Sequence, residues 1–522
     1  MKQLVTQSIV APGFFGLNTQ ESGVTLSPNF AQLADNVVID KYGRLGARKG
    51  WVMQTTSGSS ALSGEPIMFI HEHVSAAGSS VYLSAGNHKV FSGGVGASLT
   101  DITPTSYTIS DNNWSGATLN AHTVMVQEGH EPLVYNSTAS PVLQKMSTFT
   151  GLTQNYGTDY PKHIIAAYGR YWALSGSTVY WSTDIADASF PSFSGGTSGS
   201  LNIAAVLPNN VDENVSIAVH NDFLVIFAKQ NIVLYSGARN PIGTGFMLSD
   251  IIAGVGCIAS RSVQATGNDL IFLSDTGVRS LSRLIQEKSL PMRDLTKNIR
   301  DDFLKDVTAE IGNSGDLNDV CSAYSETEAF YLISFPSTST VYVLDMRSPL
   351  QDGSARCTVW YTYPAYSFLR DTNRNLYIGK ANGIGLYSGY KDNNVKYRLR
   401  YFSHYLSFGS NTTNKILKQV RVSVLGGSNQ QFTIKIGGDY TASYLSYPFT
   451  ISTGSVSEYG VAEYGANATT LAYFSGGVVI DDIKSSVGGS GNVIQIGFEA
   501  DVNGDALSVQ AIDCFLKTGR IG

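Results

Sequence analysis

The 522-residue sequence has little charge, few cysteines and no long apolar segment. Charged residues make up 15% of the chain, and the formal net charge is −6. This argues against a nucleic-acid-binding protein that grips phosphates over a broad basic face, because such proteins use clustered Lys and Arg. It does not exclude a pore through which DNA slides, since an acidic or neutral lumen would avoid holding the duplex.

Cysteine is scarce, and its few positions lie far apart. Cys257, Cys321, Cys357 and Cys514 form no CxxC pair and no Cys/His ligand spacing, so we expect reduced, structural thiols. No run approaches the roughly 20 apolar residues of a membrane helix, and the start MKQLVTQSIVAPGFF lacks the apolar core of a signal peptide. We therefore expect assembly in the cytoplasm, without membrane insertion by this chain.

Sequence motifs for catalysis, cofactors and metals are also missing. There is no GxSxG elbow and no GxxxxGK[ST] loop. His71 and His73 alternate on a predicted strand, but no third metal ligand is identifiable, so strand histidines half-exposed to solvent are the simpler interpretation. Residues 501–505 begin like a calcium loop, yet Ile512 stands where a bidentate Glu is needed, and a hairpin turn explains them better. We expect no enzyme activity, no cofactor and no metal site.

The chain is rich in residues that form turns and strands. It contains 53 Gly, 28 Tyr and 23 Phe, which is typical of an ordered, turn-dense, all-β protein. Its length allows about three domains at roughly 150 residues each, or two if the folds are large β structures.

Seven β-hairpins recur through the middle of the chain. Each has an apolar strand, a polar turn and a second strand with Val or Ile next to an aromatic residue. They span residues 81–91, 124–135, 171–181, 223–235, 270–281, 330–344 and 376–387. Successive first strands begin roughly 43 to 60 residues apart, which is the period of four-stranded propeller blades. We predict a mainly β protein with a β-propeller-like domain of about six or seven hairpin-based blades over residues 52–390. A series of unrelated hairpins is the alternative.

Two regions depart from the hairpin pattern. Near residues 291–311 apolar residues recur at helical spacing and predict one amphipathic helix: Leu295, Ile299, Phe303, Leu304 and Val307. Beyond residue 390 the strands alternate, with one apolar face, and predict a C-terminal β-sandwich or platform domain over residues 391–522. Residues 442–491 within it are rich in Gly, Ser and Tyr and predict a loop-dominated excursion.

Residues 1–51 read as an N-terminal arm and entry segment. Residues 26–29 indicate a turn, residues 31–34 fit one helical turn, residues 37–39 form a β-branched run, and the chain reverses at Gly43.

The arm offers candidate partner contacts. Because it has little core of its own, Phe14, Phe15 and Leu17 are expected to anchor in a partner's groove. Removing residues 1–20 should then leave a folded monomer that fails to join its partners. Arg44, Arg48 and Lys49 are the densest basic group near the arm. They are either solvated turn residues or groups that pair with acidic residues of a neighbouring subunit or with DNA phosphate.

The order of features over residues 12–51 matches a known segment. Its pieces are Gly-Leu-Asn at 16–18, Leu26-x-Pro28, Ala31, the run 36–40, and Gly43-x-Leu45-x-x-Arg48-x-Gly50-Trp51. This segment resembles the amino-terminal part of the tail tubular, or nozzle, proteins of short-tailed (podovirus-type) bacteriophages, which include the tail-accessory stabilisation proteins. The detailed resemblance covers less than a tenth of the chain.

The resemblance implies a structural virion protein of the phage tail, assembled in the host cytoplasm. It implies a homo-hexamer ring that forms the tail nozzle beneath a head–tail connector or adaptor protein and contacts tail fibres or spikes. Genomic DNA would pass through the lumen during ejection, and the ring would help to retain the packaged genome. The alternative is a propeller-type carbohydrate-binding or carbohydrate-cleaving phage protein, with Trp172, Trp181 and Tyr and Asp residues lining a central funnel, since Tyr-rich β-surfaces suit sugars as well as interfaces.

Overall fold

The computed structural model describes residues 5–23, 26–55, 61–94, 96–149, 156, 159–186, 190–207, 212–286, 294–427, 429–441, 443–451 and 480–521. Within these ranges the protein is mainly β-structure, as predicted. No helix in the described part of the chain is both long and apolar enough to span a bilayer.

The strands fall into an N-terminal group, a series of short sheets and a C-terminal group. The first group is β1 (Val5–Val10), β2 (Gly16–Leu17), β3 (Phe30–Asp35), β4 (Val37–Ile39), β5 (Leu45–Ala47) and β6 (Trp51–Met53). The next sheets are β7 (Phe69–Val74), β8 (Ser80–Gly86), β9 (Lys89–Gly93) and β10 (Thr100–Asp101); β11 (Ser115–Leu119), β12 (His122–Gln127), β13 (His130–Tyr135) and β14 (Leu143–Lys145); β15 (His163–Ala167), β16 (Arg170–Ser175), β17 (Thr178–Trp181) and β18 (Gly199–Asn202); and β19 (Asn214–His220), β20 (Phe223–Ala228), β21 (Asn231–Ser236) and β22 (Met247–Ala253).

The chain continues with β23 (Gln264–Ala265), β24 (Leu270–Ser274), β25 (Gly277–Ser280) and the helices α1 (Leu281–Gln286) and α2 (Arg300–Ser314). Then come β26 (Cys321–Ser325), β27 (Phe330–Phe335), β28 (Thr340–Asp345) and β29 (Arg356–Trp360), followed by β30 (Ser367–Arg370), β31 (Leu376–Lys380) and β32 (Gly383–Tyr387). The last group is β33 (Tyr397–Ser403), β34 (Thr413–Gly426), β35 (Gln431–Gly438), β36 (Leu445–Thr450), β37 (Ile480–Gly491), β38 (Ile494–Val502) and β39 (Leu507–Ile521).

Within the described residues, seven antiparallel blades form a β-propeller. In chain order they begin with β7, β11, β15, β19, β23, β26 and β30, and we call them blades 1 to 7. Innermost strands of successive blades lie side by side from β7 to β19 and from β23 through β26 to β30, and β30 returns to β7. Each predicted hairpin is the second and third strand of one blade, because those two strands are buried on both faces and carry the apolar residues.

The N-terminal segment completes the last blade of the propeller. Strand β6 is the outermost strand of blade 7, where Trp51 pairs with Tyr387 and Met53 pairs with Gly385. The first and last parts of the propeller are therefore held together by backbone hydrogen bonds rather than by packing alone.

A β-sandwich continues outward from blade 6. The sheet of blade 6 runs without interruption from β29 through β2, β3, β33, β38 and β35 to β36. The facing sheet has the order β37-β34-β39-β5-β4, with β1 also paired to β39. Apolar side chains of both sheets share one core, which includes Val422, Phe498 and Ile512. The predicted sandwich exists, but five strands of the N-terminal segment are built into it.

Three local predictions need correction. Residues 31–34 lie in strand β3 and not in a helical turn, because β2 and β33 satisfy the backbone of that segment from both sides. The predicted helix near 291–311 begins later, as α2 at Arg300, and ends at Ser314, where Gly315 takes a left-handed conformation. Residues 445–450 and 480–491 of the predicted loop region are strands, and residues 452–479 lie outside the described residues.

Candidate functional site

The inner strands of the blades line several adjoining cavities, and two of these have volumes of about 760 Å³ and about 490 Å³. Five residues line both of these cavities, and we call this group the waist: Trp114, Ser115, His163, Ser260 and Arg261.

Arg261 belongs to this waist. It lies in the 3-10 turn before β23, and its Nη1 donates to Asn113 Oδ1 (2.7 Å) while its Nη2 donates to the Tyr366 carbonyl (3.2 Å). Asn113 in turn donates from Nδ2 to Asp319 Oδ1 (2.6 Å). Asn113 precedes blade 2 and Tyr366 precedes blade 7, so one guanidinium connects blade 5 with the starts of blades 2 and 7.

Charged residues and apolar residues line different parts of the larger cavity. On the blade side, Glu213 accepts from Lys162 (2.7 Å) and pairs with Lys229 (2.6 Å), and these two lysines lower the pKa of Glu213 to about 2. Across from them, apolar residues of α2, including Leu304 and Ile311, line the cavity. The Glu213 carboxylate is ionised and its charge is balanced by the two lysines, so its low pKa makes it a poor general base.

The two strand histidines belong to a hydrogen-bonded chain. His71 Nε2 lies 2.8 Å from Thr118 Oγ1, and His73 Nδ1 lies 2.9 Å from Thr123 Oγ1. The hydroxyl oxygens of Thr118 and Thr123 lie 2.7 Å apart and complete the chain. Burial, reinforced by neighbouring His73, lowers the pKa of His71 to about 4, which keeps the ring neutral. His71 is half-buried as predicted, but His73 is fully buried.

No cluster of three or more potential metal ligands occurs among the described residues. All four cysteines are free and buried, as expected for structural thiols. Burial raises the pKa of Cys321 to about 12, so this thiol is protonated and inert.

A second cluster of charged residues lies where the sandwich joins the propeller. Arg48 is fully buried and forms a bidentate pair with Asp392 (2.8 and 2.7 Å), while its Nε donates to Asn36 Oδ1 (2.9 Å). Its guanidinium lies 4.0 Å from the ring centre of Tyr397 and 4.4 Å from that of Tyr363. Planar, always charged and able to stack, Arg suits this buried position better than Lys would. We call this group the Arg48 junction.

Lys380 lies beside the Arg48 junction. Only 3% of this residue is exposed; its Nζ donates to the Pro364 carbonyl (2.6 Å) and lies 3.7 Å from the ring centre of Tyr363. Burial lowers the pKa of Lys380 to about 7, an effect that the Arg48 charge reinforces and the Asp392 charge opposes.

The structure places the predicted arm residues inside the protein. Phe14 is fully buried against Tyr401, and Leu17 belongs to the same core. Phe15 is half-buried and lies 5.4 Å from Phe30. The exposed-arm prediction is wrong for Phe14 and Leu17, because their strands are covered by the chain's own sandwich.

The structure also disfavours the prediction that residues 1–20 form a removable arm. Within that stretch, β1 pairs with β39 of the sandwich over six residue pairs.

The three predicted basic residues have separate surroundings. Arg44 lies at the turn between β4 and β5, where its Nε donates to Asp40 (2.7 Å). Lys49 pairs with Glu328 of blade 6 (2.8 Å). Arg48 is buried, which rules it out as a solvated turn residue or a free phosphate ligand. The fold therefore does not bring these residues together as one exposed basic patch.

The tryptophans proposed to line a funnel do not do so. Trp172 and Trp181 pack against each other and Phe246 in the core between blades 3 and 4, with exposures of 0% and 7%.

The functional residues that the sequence did not reveal are those with distant partners. Arg48 and Asp392 lie 344 positions apart, and Arg261 reaches three different blades. A buried Arg next to a glycine turn offers no local signal of such a partner.

Comparison with known proteins finds no matching family model and no matching curated protein. Among solved structures, the WD40 β-propeller domain of Doa1 gives a TM-score of 0.38 at 10% identity, covering 65% of this chain and 96% of that one. YCF48 bound to D1 peptide gives 0.35 at 12% identity, covering 65% and 96%. A catalytically inactive virginiamycin B lyase from Staphylococcus aureus with quinupristin gives 0.36 at 11% identity, covering 63% and 96%. The strand order itself, and not these low scores, defines the propeller.

Proposed function

We propose that this chain is a structural virion protein that forms the tail nozzle ring of a short-tailed phage. The ring conducts DNA during ejection and helps to retain the packaged genome. The observation that carries the proposal is the structural use of residues 12–51, the segment that resembles the nozzle proteins. Its matching positions lie within the sandwich, as Gly43 does, or where the sandwich meets the propeller, as Arg48 and Gly50 do.

Three of these positions have strict geometric demands. Asn36 adopts a left-handed φ of 56° while its side chain donates to the Arg398 carbonyl, a conformation that Asn tolerates better than most residues. A Cβ on Gly43 would lie 2.5 Å from Pro12 Cβ. A Cβ on Gly50 would overlap the Lys391 carbonyl. The motif thus describes how a sandwich is attached to a propeller, which supports a shared architecture with the nozzle proteins.

The shape of the subunit also supports a structural role. Because strands within a blade follow one another outward, the strands added to blade 6 extend the molecule away from the propeller axis. The product is a propeller with a rigid side domain, which offers different surfaces at its two ends. Closed rings require such heterologous contacts.

In this proposal the DNA passes between the copies and not through a single propeller. Arg261 links blades 5, 2 and 7 through hydrogen bonds, and the larger cavity, about 760 Å³, has the size of a small-molecule site. The lumen is therefore the space enclosed by six copies, and the low net charge of the chain suits a surface along which DNA slides.

Electron microscopy of the purified protein and of virions tests the proposal. We expect six-fold rings at the end of the tail, beneath the connector or adaptor protein and next to the tail fibres or spikes. A protein that is absent from virions and stays a monomer would contradict it.

For the carbohydrate-binding alternative, the two named tryptophans cannot line a funnel, since Trp172 and Trp181 are buried between blades. Specific, saturable binding of a glycan by the isolated protein would restore it.

A further inference from the structure

Three residues that line the larger cavity carry a buried polar atom without a hydrogen-bond partner. These atoms are Trp114 Nε1, Gln127 Oε1 and His163 Nδ1, which make no hydrogen bond in the part of the chain that the structure describes. Trp114 and Gln127 are only 3% and 4% exposed. Buried polar groups are nearly always paired, so three unpaired atoms around one cavity point to a polar ligand there.

The side-chain amide of Gln127 is fixed in one orientation. Its Nε2 donates to the backbone carbonyls of Asp111 (2.9 Å) and Asn113 (2.8 Å). Because both N–H bonds are directed at this segment, Oε1 is turned away from it and is the acceptor that remains. Trp114 follows Asn113 directly. The same short segment, residues 111–114, therefore positions an acceptor and an indole N–H donor at the cavity.

Arg261 adds a positive charge to this group. Its Nη1 donates to Asn113 Oδ1 (2.7 Å), and its other acceptors are the backbone carbonyls of Asn318 (3.4 Å) and Tyr366 (3.2 Å). Among the described residues, none of the acceptors that Arg261 contacts is a carboxylate. These bonds use three of the five N–H donors of a guanidinium and leave two for a ligand. A carboxylate is the group that such donors bind best.

The remaining lining residues restrict the size and charge of the ligand. Leu304, Val307 and Ile311 of α2 form an apolar wall, and a cavity of about 760 Å³ suits a small organic molecule. Four exposed carboxylates also line the cavity and would repel a ligand with several negative charges, such as a polyphosphate. They belong to Asp111, Glu128, Asp275 and Asp316. A ligand with one negative charge and one apolar group meets both conditions.

We propose that the larger cavity binds a small organic carboxylate that carries an apolar side group and a neighbouring amide. Its carboxylate accepts from Arg261, its N–H donates to Gln127 Oε1, and its carbonyl accepts from Trp114 Nε1. Its apolar group packs against α2. This binding site goes beyond the proposed nozzle function and does not depend on it.

Calorimetric titration of the full chain with N-acetyl-leucine tests the site, because this probe has one carboxylate, one N–H, one amide carbonyl and one apolar side chain. We expect one site per chain with a Kd of about 1 mM or tighter. N-acetyl-leucinamide, which lacks the charge, should bind about tenfold more weakly or worse. N-acetylglycine, which lacks the apolar side chain, should also bind about tenfold more weakly.

Two variants assign the contacts. Arg261→Gln should weaken binding of N-acetyl-leucine by about tenfold or more and should no longer distinguish it from its amide. Trp114→Phe keeps an aromatic ring and removes the Nε1 donor, and it should weaken both probes by about threefold to tenfold. Arg239→Gln is the matched control, since Arg239 is exposed and pairs with Asp222 (2.8 Å). It should bind both probes like the wild type.

The wild-type protein alone can overturn the inference, so the result does not depend on how the variants fold. Equal affinity for N-acetyl-leucine and N-acetyl-leucinamide would contradict the charged contact. Absence of saturable binding up to about 10 mM would mean that solvent alone fills the cavity. Full affinity of folded Arg261→Gln would place the ligand at another site. Each of these outcomes would overturn the inference and leave the nozzle proposal as it is.

Discussion

Blades 4 and 6 both end in long strands, and the fold treats these two edges in opposite ways. In blade 6, β29 is buried because β2 and β3 continue the sheet beyond it. In blade 4, β22 remains exposed, although its inner residues Ile251 and Ile252 pack on two cores. The chain thus covers one edge with its own N-terminal segment and leaves the other without a second pairing strand in the part of the chain that the structure describes.

The covered edge shows what such a cover demands. Gly16 pairs with Cys357 in parallel, at a φ of 83°, and a Cβ there would overlap the Cys357 carbonyl. Behind it, Phe14 fills the shared core and the Arg48 junction fixes the end of the segment. Three features therefore hold the cover on blade 6: the close backbone approach at Gly16, the buried ring of Phe14 and the ion pair of Arg48. Four predictions test how much each edge contributes.

The largest effect is expected from breaking the Arg48 junction. Arg48→Met leaves Asp392 and Asn36 Oδ1 without their buried partner, and it should lower the free energy of unfolding by about 3–5 kcal/mol. Denaturant unfolding measures the change. Arg44→Gln is the control, since its pair with Asp40 is partly exposed and should be worth about 1 kcal/mol or less. Equal losses in the two variants would mean that the junction does not anchor the cover.

The next effect concerns the aromatic residue under the cover. Phe14→Ala empties a fully buried position and should cost about 3 kcal/mol, measured in the same way. Phe15→Ala removes a half-buried ring of the same size and should cost about 1 kcal/mol. If Phe15→Ala were the more damaging change, the burial assigned to this segment would be wrong.

A smaller, pH-dependent effect is expected from Lys380, beside the junction. Its folded pKa of about 7 lies below the usual Lys value of 10.5. Between these values the unfolded chain binds a proton that the folded chain does not. Its contribution to stability should therefore rise with pH from about 7 to about 10, by at most about 1.4 kcal/mol per pH unit. Lys380→Met should remove this rise, so the difference in the free energy of unfolding between the wild type and the variant should shift in favour of the wild type from pH 7 to pH 9. A difference independent of pH would contradict the lowered pKa.

The smallest effect on folding is expected at the free edge. Leu248→Lys places a charge on β22, where the exposed side chain makes little contact in the single chain, and should change the free energy of unfolding by less than about 0.5 kcal/mol. Denaturant unfolding measures the change, with Phe14→Ala at the covered edge as the contrasting variant. A loss as large as that of Phe14→Ala would mean that the two edges contribute equally to the stability of the single chain.

The sequence predicted the propeller well and its attachment poorly. The seven hairpins were visible because their strands pack on both faces and are therefore continuous apolar runs, such as residues 223–227. The first and last strands of each blade were missed because they are short or half-exposed, as in β10 and β18.

The N-terminal segment shows why the rest was out of reach. The local sequence around Phe14 and Leu17 predicts an exposed arm. Both residues are nevertheless buried, by strands whose residues lie nearly 400 positions later. Likewise, the residues near Arg48 give no indication of its partner Asp392, and those near Arg261 give no indication of its partner Asn113. Local patterns report periodicity and turns, whereas these sites depend on contacts between distant parts of the chain.

The central claim is that this chain builds a ring whose lumen lies between subunits. Cryo-electron microscopy of tails that contain the protein tests it most directly. We predict six copies around one lumen, with DNA density in that lumen and none along the axis of any single propeller. DNA density through the axis of a single propeller, or isolated copies without mutual contact, would contradict the claim.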